Sequence, residues 1–483
     1  MQFDLDRNID GAALDVQSMI TATLRRLPPE LPAPPSFRKV NPADAPIVTI
    51  AVVSETLPLR TLSDYADSLM VPRLAEISGV GQVTLQGGIK PAVRIQAHWF
   101  LAAYGHVARQ ELPGVVVEQG RRPVESLEVT PEFWSGTRVF LTGHTGFKGS
   151  WLALWLHSLG ANVTGYSLEP NTEPNHFDAI ALPDIVTSII GDIRDVDALR
   201  TAMTNARPDI VLHLAAQPLV RESYSDPLGT YETNVMGTAN VLESVRSCTT
   251  VKSVVIITTD KVYENKEQDI AYVETDALGG FDPYSNSKAC TELVTSSYVQ
   301  SFFNAGNYAE HGVAIATARA GNVFGGGDWA KDRLVPDLIR AYEAGVAPKI
   351  RFPGSVRPWQ HVLEPLRGYL FLARALFEHG TAFNGAFNFG PRESDAQNVK
   401  TICDIVSGIL GVSGDWVMDE GQNPHEAGLL KLDIAKAKAQ LAWEPKTNLE
   451  QGLAMTTHWY KNFRDAADVR ELSLADIRAF SAL

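Results

Sequence analysis

The segment RVFLTGHTGFKGSWLALWLHSLGANVTGYS, which begins at Arg138, constrains the fold more than any other part of this chain. Its pattern predicts, in order, a strand, a helix and a second strand over residues 137–142, 147–159 and 162–167. Gly143, Gly146 and Gly149 occupy the turn between the first strand and the helix. Glycines in this position let backbone N–H groups approach an anion at a helix N-terminus, so the segment predicts a site for the pyrophosphate of a dinucleotide.

The sequence after this unit continues the alternation of strands and helices. IIGDIRD, DIVLHLAAQP and VVIITTDKVYEN each contain an apolar run that ends in polar residues, as buried parallel strands do. We therefore predict an α/β fold, in which a Rossmann-type doubly wound parallel sheet is followed by a smaller C-terminal substrate-binding lobe and preceded by an α+β segment. The predicted divisions are 1–110, a linker over 111–135, a dinucleotide-binding domain over 136–320 and the lobe over 321–483.

The second and third predicted strands suggest which dinucleotide binds. Ser167 ends the second strand in the position where an acidic residue often binds the ribose hydroxyls. A neutral hydroxyl neither repels nor grips an extra phosphate, and we favour NAD over NADP. Asp192 follows the third strand, where its carboxylate can accept a hydrogen bond from the adenine amine, and Ala215 and Ala216 are small enough to pass beneath the cofactor.

Two pairs of residues have the composition of an acid–base site. Asp260 and Lys261 end the buried run VVIITT, at the edge of the sheet where ligands bind in such folds. An ordinary solvated turn would explain the same two residues. Tyr284 and Lys288 are four residues apart behind Pro283, so on a helix they share one face. A nearby ammonium favours the phenolate that can act as a base.

Composition excludes several other classes of protein. The net charge of −14 argues against a nucleic-acid partner, because phosphate binding needs a basic surface. The three cysteines are far apart and lie in no CxxC pattern, so we predict neither disulfides nor a metal site. No apolar run is long enough to span a membrane, and the first residues have no signal-peptide pattern. We expect a cytoplasmic protein.

These features resemble a known family. The glycine turn, the YxxxK pair, TNVMGT (233–238) and LDIAKAKAQLAWEPKTNLEQGLAMTTHWYK are similar to the extended short-chain dehydrogenase/reductase family that acts on nucleotide sugars, over about residues 134–463. The stretches EFWSGTRVFLTGHTGFKGSWL, HLAAQPLVRESY, TTDKVYEN, GGGDWAKDRLVPD and VRPWQHVLEP look most like the branch that removes water from CDP-glucose, over about residues 115–475.

This resemblance implies an activity. NAD would be the cofactor, CDP-glucose the small-molecule substrate, and a 4-keto-6-deoxy sugar the product. Tyr284 would take the C4 hydroxyl proton, and Thr259 would hydrogen-bond the C4 oxygen. Asp260 would act as the acid at the C6 hydroxyl and Lys261 as the base at C5. Dehydratases for dTDP-glucose carry glutamate beside the aspartate, and epimerases lack the pair. The lysine therefore favours the CDP branch, and we expect a homodimer or homotetramer.

Three sets of site residues follow from the residues and the resemblance together. The catalytic set is Thr259, Asp260, Lys261, Tyr284 and Lys288. The cofactor-binding set is Gly143, Thr145, Gly146, Phe147, Lys148, Gly149, Ser167, Asp192, Ile193, Leu214, Ala215, Ala216, Gln217, Thr233, Tyr284 and Lys288. The substrate-binding set is Asn322, Trp329, Arg333, Arg357 and His361. Guanidinium groups suit the diphosphate, although a surface ion pair would also explain each arginine. A position in the core would also explain Trp329.

Residues 1–110 have a different origin. They resemble the periplasmic porter region of resistance–nodulation–division efflux pumps. The likeness begins in mid-strand without membrane helices, so we interpret this segment as a fragment joined by a real fusion or by a gene-model error, and we do not expect transport. Three alternatives to the leading activity stay open: a dehydratase or epimerase of another nucleotide sugar, a non-catalytic Rossmann cofactor sensor, and an export component.

Overall fold

A computed structural model describes residues 128–421, 428–465 and 468–483. The predicted porter-like segment 1–110 and the linker as far as residue 127 lie outside the described residues. The remaining linker residues contain the short helix α1, Pro131–Trp134, whose Trp134 is buried.

Within residues 128–421, seven parallel strands form one sheet. They belong to a strand series that runs along the chain as β1 Arg138–Thr142, β2 Asn162–Ser167, β3 Thr187–Ile190, β4 Ile210–His213, β5 Ser253–Ile257, β6 Ala271–Tyr272, β7 Ala314–Ala320, β8 Asn322–Phe324, β9 Lys349–Ile350, β10 Val356–His361, β11 Gly385–Phe389, β12 Ala396–Asn398, β13 Val417–Met418 and β14 Lys431–Leu432. The order of the sheet in space is β11-β7-β5-β4-β1-β2-β3. This order confirms the predicted doubly wound fold, and β1 and β2 lie within one residue of their predicted positions.

Helices surround the sheet. Along the chain they are α1, α2 Phe147–Ser158, α3 His176–Ala179, α4 Val196–Ala206, α5 Val220–Ser225, α6 Pro227–Tyr231, α7 Gly237–Arg246, α8 Pro283–Phe302, α9 Tyr308–His311, α10 Leu334–Glu343, α11 Leu363–His379, α12 Val399–Leu410, α13 Ala435–Leu441, α14 Leu449–Arg464 and α15 Val469–Ala482. Within the ranges that the structure describes, every helix is too short or too polar to cross a lipid bilayer.

Strand β5 shows why the sheet is covered on both faces. All five of its residues are buried. Val254 and Ile256 belong to one hydrophobic cluster, and Val255 and Ile257 belong to another. Successive side chains of a strand point to opposite faces, so an unbroken apolar run requires a packed layer on each side. The run ends at Thr258, where the chain leaves the sheet.

The order in which successive strands join the sheet reverses at β1. Strand β1 pairs with β2 on one side and with β4 on the other, so the two halves of the sheet diverge from this strand. In such folds the crevice beyond the carboxyl ends of the strands is the usual ligand site. The predicted glycine turn follows β1 directly and therefore lies in that crevice.

The segment beyond residue 320 forms a small sheet of its own and also completes the main one. Strand β10 pairs with β8 in parallel and with β12 in antiparallel orientation. Strand β11 instead pairs with β7 and forms the edge of the main sheet. The main sheet thus takes one strand from the predicted lobe, and the division at residue 320 stays a prediction.

A substitution at Gly149, in the helix after β1, tests how closely the glycine turn is packed. A Cβ atom at Gly149 would lie 2.0 Å from the Gly143 carbonyl oxygen, whereas one at Gly408 in α12 would meet nothing within 4 Å. We expect Gly149→Ala to lower the free energy of unfolding by about 1–3 kcal/mol, because backbone must move to make room. Gly408→Ala should leave it unchanged or raise it by up to about 1 kcal/mol. Denaturant unfolding measures both, and equal stability of the two variants would contradict this account of the turn.

Candidate active site

The carboxyl ends of the central strands open into a cleft of about 980 Å³. The cleft extends from the glycine turn to the small sheet of β8 and β10. Most of the predicted site residues line it: Gly143, Thr145, Gly146, Phe147, Lys148, Gly149, Ser167, Asp192, Ile193, Leu214, Ala215, Ala216, Thr233, Thr259, Asp260, Lys261, Tyr284, Lys288, Asn322, Trp329, Arg333 and Arg357. One cleft therefore brings together all five predicted catalytic residues.

The glycine turn fits the pyrophosphate of a dinucleotide. Gly143 has a φ of +80°, and a Cβ atom there would lie 2.7 Å from the backbone nitrogen of Ala215. A Cβ atom at Gly149 would lie only 2.0 Å from the Gly143 carbonyl oxygen. Both positions of this cradle therefore require glycine. The cradle opens at the N-terminus of α2, where unpaired N–H groups and the helix dipole favour an anion.

A buried histidine holds the other side of this cradle. His213 lies 2.7 Å from the Thr142 hydroxyl through Nδ1 and 3.0 Å from the Thr238 hydroxyl through Nε2. The backbone N–H of Ala215 donates to the same Thr142 hydroxyl over 3.2 Å. Burial lowers the pKa of His213 to about 3, so this ring stays neutral and ties the ends of β1 and β4 together.

Ser167 and Asp192, which the sequence predicts at the ribose and the adenine, present a neutral and a charged group to the cleft. The Ser167 hydroxyl lies 2.8 Å from the Thr145 hydroxyl. The Thr145 hydroxyl donates a hydrogen bond to the Leu168 carbonyl, also over 2.8 Å. Asp192 accepts a fork of hydrogen bonds from the Arg194 guanidinium, with its shortest at 2.6 Å. These hydrogen bonds lower the pKa of Asp192, so its carboxylate is ionised.

Asp260 and Lys261 form a close pair at the end of β5. The Lys261 ammonium nitrogen lies 3.7 Å from Oδ1 of Asp260 and 3.5 Å from the Asn322 amide oxygen. The Thr259 hydroxyl donates to the same Oδ1 over 2.9 Å. Oδ2 of Asp260 is buried and has no protein partner among the described residues. An acid with one oxygen held and the other available thus lies beside a base that reaches into the cleft.

Tyr284 and Lys288 project from the first turns of α8 toward the same point. The Lys288 ammonium donates to the carbonyl of Ile257, the last residue of β5, over 3.2 Å. Burial raises the pKa of Tyr284 to about 12, against a hydrogen bond with Thr259 that lowers it. Burial lowers the pKa of Lys288 to about 8, against the opposing charge of Glu292. The positive charge of Arg333 also lowers the pKa of Tyr284, but the phenol is still protonated at neutral pH.

Lys148 brings another cation into the cleft. Its ammonium lies 3.3 Å from the Tyr369 hydroxyl, beside the glycine cradle. Burial lowers the pKa of Lys148 to about 7, with smaller contributions in the same direction from the positive charges of Arg333 and Lys288. The negative charge of Asp260 opposes this shift. Lys148 therefore gains or loses a proton near neutral pH.

Four of the five predicted substrate residues line the cleft: Asn322, Trp329, Arg333 and Arg357. Arg333 forms a 2.8 Å ion pair with Asp328, whose own side chain is buried. Trp329 lines the cleft and also packs against Phe463, with 5.0 Å between the ring centroids. Arg357 is buried on β10 and donates to the Val356 carbonyl over 3.0 Å. Both the packing interpretation and the cleft interpretation of Trp329 thus describe part of its surroundings.

Two predicted residues lie away from the cleft. Gln217 is not among the lining residues, and its side-chain amide donates to the Leu219 carbonyl and to the Thr230 hydroxyl, which shapes the loop after β4. His361 is buried against the ring of Phe324, and burial lowers its pKa to about 3. The structure therefore does not bring these two side chains to the other predicted site residues.

Sequence reasoning missed a cluster at the mouth of the cleft. Asp332 accepts hydrogen bonds from Arg221 at 3.0 Å and from Arg351 at 2.9 Å. All three residues line the cleft, and Asp332 has a φ of +62°. Arg221 and Asp332 stand in the stretches HLAAQPLVRESY and GGGDWAKDRLVPD, but no local pattern indicates that they meet.

Comparison with known proteins identifies the class of this site. The model of the NAD dependent epimerase/dehydratase family matches residues 139–386, and the chain belongs to that family. The cofactor of the family is NAD, as the glycine turn and Ser167 predict. A second family model, for the AcrB/AcrD/AcrF family, matches residues 1–110.

Individual relatives refine this picture. CDP-glucose 4,6-dehydratase of Salmonella typhimurium is 50% identical over 349 residues, which is 72% of this chain and 97% of that protein. Multidrug resistance protein MdtC of Serratia proteamaculans is 32% identical over 224 residues, 45% of this chain but only 19% of that protein. The resemblances predicted for both parts of the chain are confirmed.

Solved structures agree on the fold. UDP-glucose 4-epimerase of Thermus thermophilus, in complex with NAD, has a TM-score of 0.59 at 24% identity and covers 68% of this chain and 100% of its own. DesIV, a dTDP-glucose 4,6-dehydratase of Streptomyces venezuelae solved with NAD, has a TM-score of 0.58 at 22% identity over 68% of this chain and 98% of its own. At these identities the likeness concerns the fold alone.

The lowered pKa of Lys148 predicts how stability depends on pH. The folded protein gives up this proton near pH 7 and the unfolded chain near pH 10.5, so the unfolded chain binds more protons between these values. The free energy of unfolding of the cofactor-free protein should therefore rise with pH across this window, and Lys148→Met should reduce the slope. Urea unfolding at a series of pH values measures it. Lys266→Met, at an exposed lysine, is the control; equal slopes for Lys148→Met and wild type would contradict the assignment.

Proposed function

We propose that this protein removes water from CDP-glucose and produces CDP-4-keto-6-deoxyglucose. The observation that carries the proposal is the Asp260-Lys261 pair at the end of β5, in the same cleft as Tyr284 and Lys288. A reaction that only moves hydride needs the second pair alone. Loss of water across C5 and C6 needs an acid and a base in addition, and the first pair supplies both.

Similarity to the Salmonella typhimurium protein supports the choice of substrate. The alignment spans 97% of that relative at 50% identity and so includes more than the dinucleotide-binding part. The lysine of the acid–base pair supports the same choice, since the resemblance associates glutamate in this position with dTDP-glucose. Arg333 and Arg357 line the same cleft as the glycine cradle, and their guanidinium groups would hold the substrate diphosphate.

The first half of the reaction oxidises C4 of the sugar. The chemistry that NAD supplies when bound is acceptance of hydride from C4 and its later return to C6. Tyr284 takes the C4 hydroxyl proton, and the Thr259 hydroxyl hydrogen-bonds the C4 oxygen. Because burial raises the pKa of Tyr284 to about 12, the phenolate requires positive charge nearby. Arg333 lowers this pKa, and we propose that Lys288 on the same helix face adds to that effect.

The second half eliminates water. The C4 ketone acidifies the C5 hydrogen, Lys261 removes that proton, and Asp260 gives a proton to the C6 hydroxyl as it leaves. These roles require an uncharged amine and a protonated carboxyl. Transfer of one proton from Lys261 to Asp260, whose nearest atoms lie 3.7 Å apart, would give this neutral acid and base without changing the net charge of the pair. Lys261 then returns a proton to C5 when C6 is reduced.

The chemistry of the product suggests the biosynthetic pathway in which this enzyme acts. A 4-keto-6-deoxyhexose on a nucleotide is an activated precursor of deoxysugars, so we place the enzyme in deoxysugar synthesis for surface polysaccharide such as the lipopolysaccharide O-antigen. A cytoplasmic homodimer or homotetramer is part of the same proposal, because both nucleotide sugars and NAD are cytoplasmic metabolites. Residues 1–110 take no part in the proposed chemistry.

Comparison of four substrates tests the activity. We expect the purified full-length protein with catalytic NAD to convert CDP-glucose to its 4-keto-6-deoxy product, with kcat/KM at least about tenfold higher than for dTDP-, UDP- or GDP-glucose; tenfold corresponds to about 1.4 kcal/mol of barrier. Proton NMR of the products measures it, with Tyr284→Phe as the inactive control. A C4 epimer as product, preference for another nucleotide, or binding without turnover would each contradict the proposal.

Lys261→Ala tests the division of labour. We expect product formation to fall by about 10²–10⁴-fold, the usual contribution of a general base, while oxidation at C4 persists. Acid quench followed by reduction with borodeuteride traps any CDP-4-ketoglucose, which should accumulate on this variant and not on wild type. Lys266→Ala, at an exposed lysine five residues along, is the control and should keep wild-type rates. If Lys261→Ala slowed C4 oxidation equally, Lys261 would be positioning the sugar instead.

A further inference from the structure

A second charged pair is buried directly beneath the acid–base site. Glu292 of α8 and Arg319 of β7 have relative exposures of 5% and 3%. Nε of Arg319 donates to Oε1 of Glu292 over 3.0 Å, and Nη2 donates to Oε2 over 3.1 Å. Burying two charges costs more solvation energy than their attraction commonly returns. Stability alone is therefore a weak reason for this pair to exist.

The two carboxylate oxygens of Glu292 each hold a second donor. The Thr258 hydroxyl donates to Oε1 over 2.5 Å, and the Thr317 hydroxyl donates to Oε2 over 2.6 Å. Thr258 is the residue directly before Thr259, whereas Thr317 lies in the middle of β7. One carboxylate thus makes two similar hydrogen bonds, and only one of them reaches the end of the strand that carries the acid–base residues.

Arg319 reaches the other end of the same turn. Its Nη1 donates to the Tyr263 hydroxyl over 2.9 Å and to the Glu274 carbonyl over 3.1 Å. Residues 260–262 form a single helical turn between Thr259 and Tyr263. The ion pair therefore contacts the chain two residues before Asp260, at Thr258, and two residues after Lys261, at Tyr263.

Helix α8 joins the two catalytic pairs through this network. Lys288 donates to the Ile257 carbonyl, and Glu292, one helical turn later, accepts from Thr258. Consecutive residues at the end of β5 are thus tied to consecutive turns of the helix that carries Tyr284. A displacement of the strand end relative to α8 would move Asp260 and Lys261 away from Tyr284 and from the sugar that both must reach.

We propose that the Glu292–Arg319 pair positions the Asp260-Lys261 turn against Tyr284, so that oxidation at C4 and elimination at C5 and C6 occur on one bound sugar. Neither residue touches the substrate; Glu292 acts through Thr258, and Arg319 acts through Tyr263. The inference rests on the proposed dehydration.

Two matched substitutions test the positioning role. Thr258→Val and Thr317→Val each remove one hydroxyl from the same carboxylate, and both side chains are buried to the same degree. We expect Thr258→Val to lower kcat on CDP-glucose by about 10–100-fold with KM within about threefold, since small misplacements of catalytic groups have effects of this size. Thr258→Ser keeps the hydroxyl and should restore kcat, and Thr317→Val should keep kcat within about threefold. Both valine substitutions should lower Tm by the same amount, as measured by thermal unfolding.

Equal loss of kcat in Thr258→Val and Thr317→Val, or no loss in Thr258→Val, would overturn the positioning role. Tyr263→Phe removes the hydrogen bond from Arg319, together with the one that the Tyr263 hydroxyl donates to Asn388, and gives a second measurement. An unchanged kcat in this variant would also overturn the positioning role. Failure of the wild-type protein to dehydrate CDP-glucose is a different result, because it would refute the proposed function before any variant is compared.

Discussion

The close approach of backbone to backbone at the end of β1 is the constraint on which the rest of the structure depends. The turn at Gly143 packs against the Ala215 backbone on one side and against Gly149 on the other, at distances that leave no room for a Cβ atom. This approach brings the N-terminus of α2 and the loop after β4 to one point. Because parallel strands all end at the same edge, β5 then delivers Asp260 and Lys261 to the same crevice. Cofactor cradle and acid–base pair are consequences of one sheet geometry.

Electrostatics within the cleft differ from those of the chain as a whole. The chain carries a net charge of −14, yet Lys148, Lys261, Lys288 and Arg333 all line the cleft. Cations in these positions suit two diphosphate-containing ligands. Burial lowers the pKa values of both Lys148 and Lys288 toward neutrality. Their neighbouring positive charges add to burial in the case of Lys148. The net charge argues against nucleic acid as a partner, but it carries no information on this local arrangement.

The sequence predicted those parts of the site that local patterns determine. Strands β1 and β2, the glycine turn and the shared face of Tyr284 and Lys288 follow from spacing within about thirty residues, where helix and strand periodicity apply. The contacts that sequence reasoning missed join distant segments, such as Arg221 with Asp332 or Glu292 with Arg319. No periodicity connects such residues, although Glu292 does lie four residues after Lys288. His361 is buried in the core and not in the cleft lining, and its burial is not evident from its position beside predicted site residues.

We propose that one bound sugar undergoes both oxidation and elimination within this cleft. Isotope labels test this directly: a mixture of CDP-[4-²H]glucose and CDP-[¹³C₆]glucose without deuterium is incubated with the full-length protein in ordinary water, and the product is analysed by mass spectrometry and NMR. We expect deuterium to move to C6 of the molecule in which it began, never to appear in the ¹³C-labelled product, and the C5 hydrogen to come from the solvent. Deuterium lost to solvent, or shared between the two populations, would contradict it.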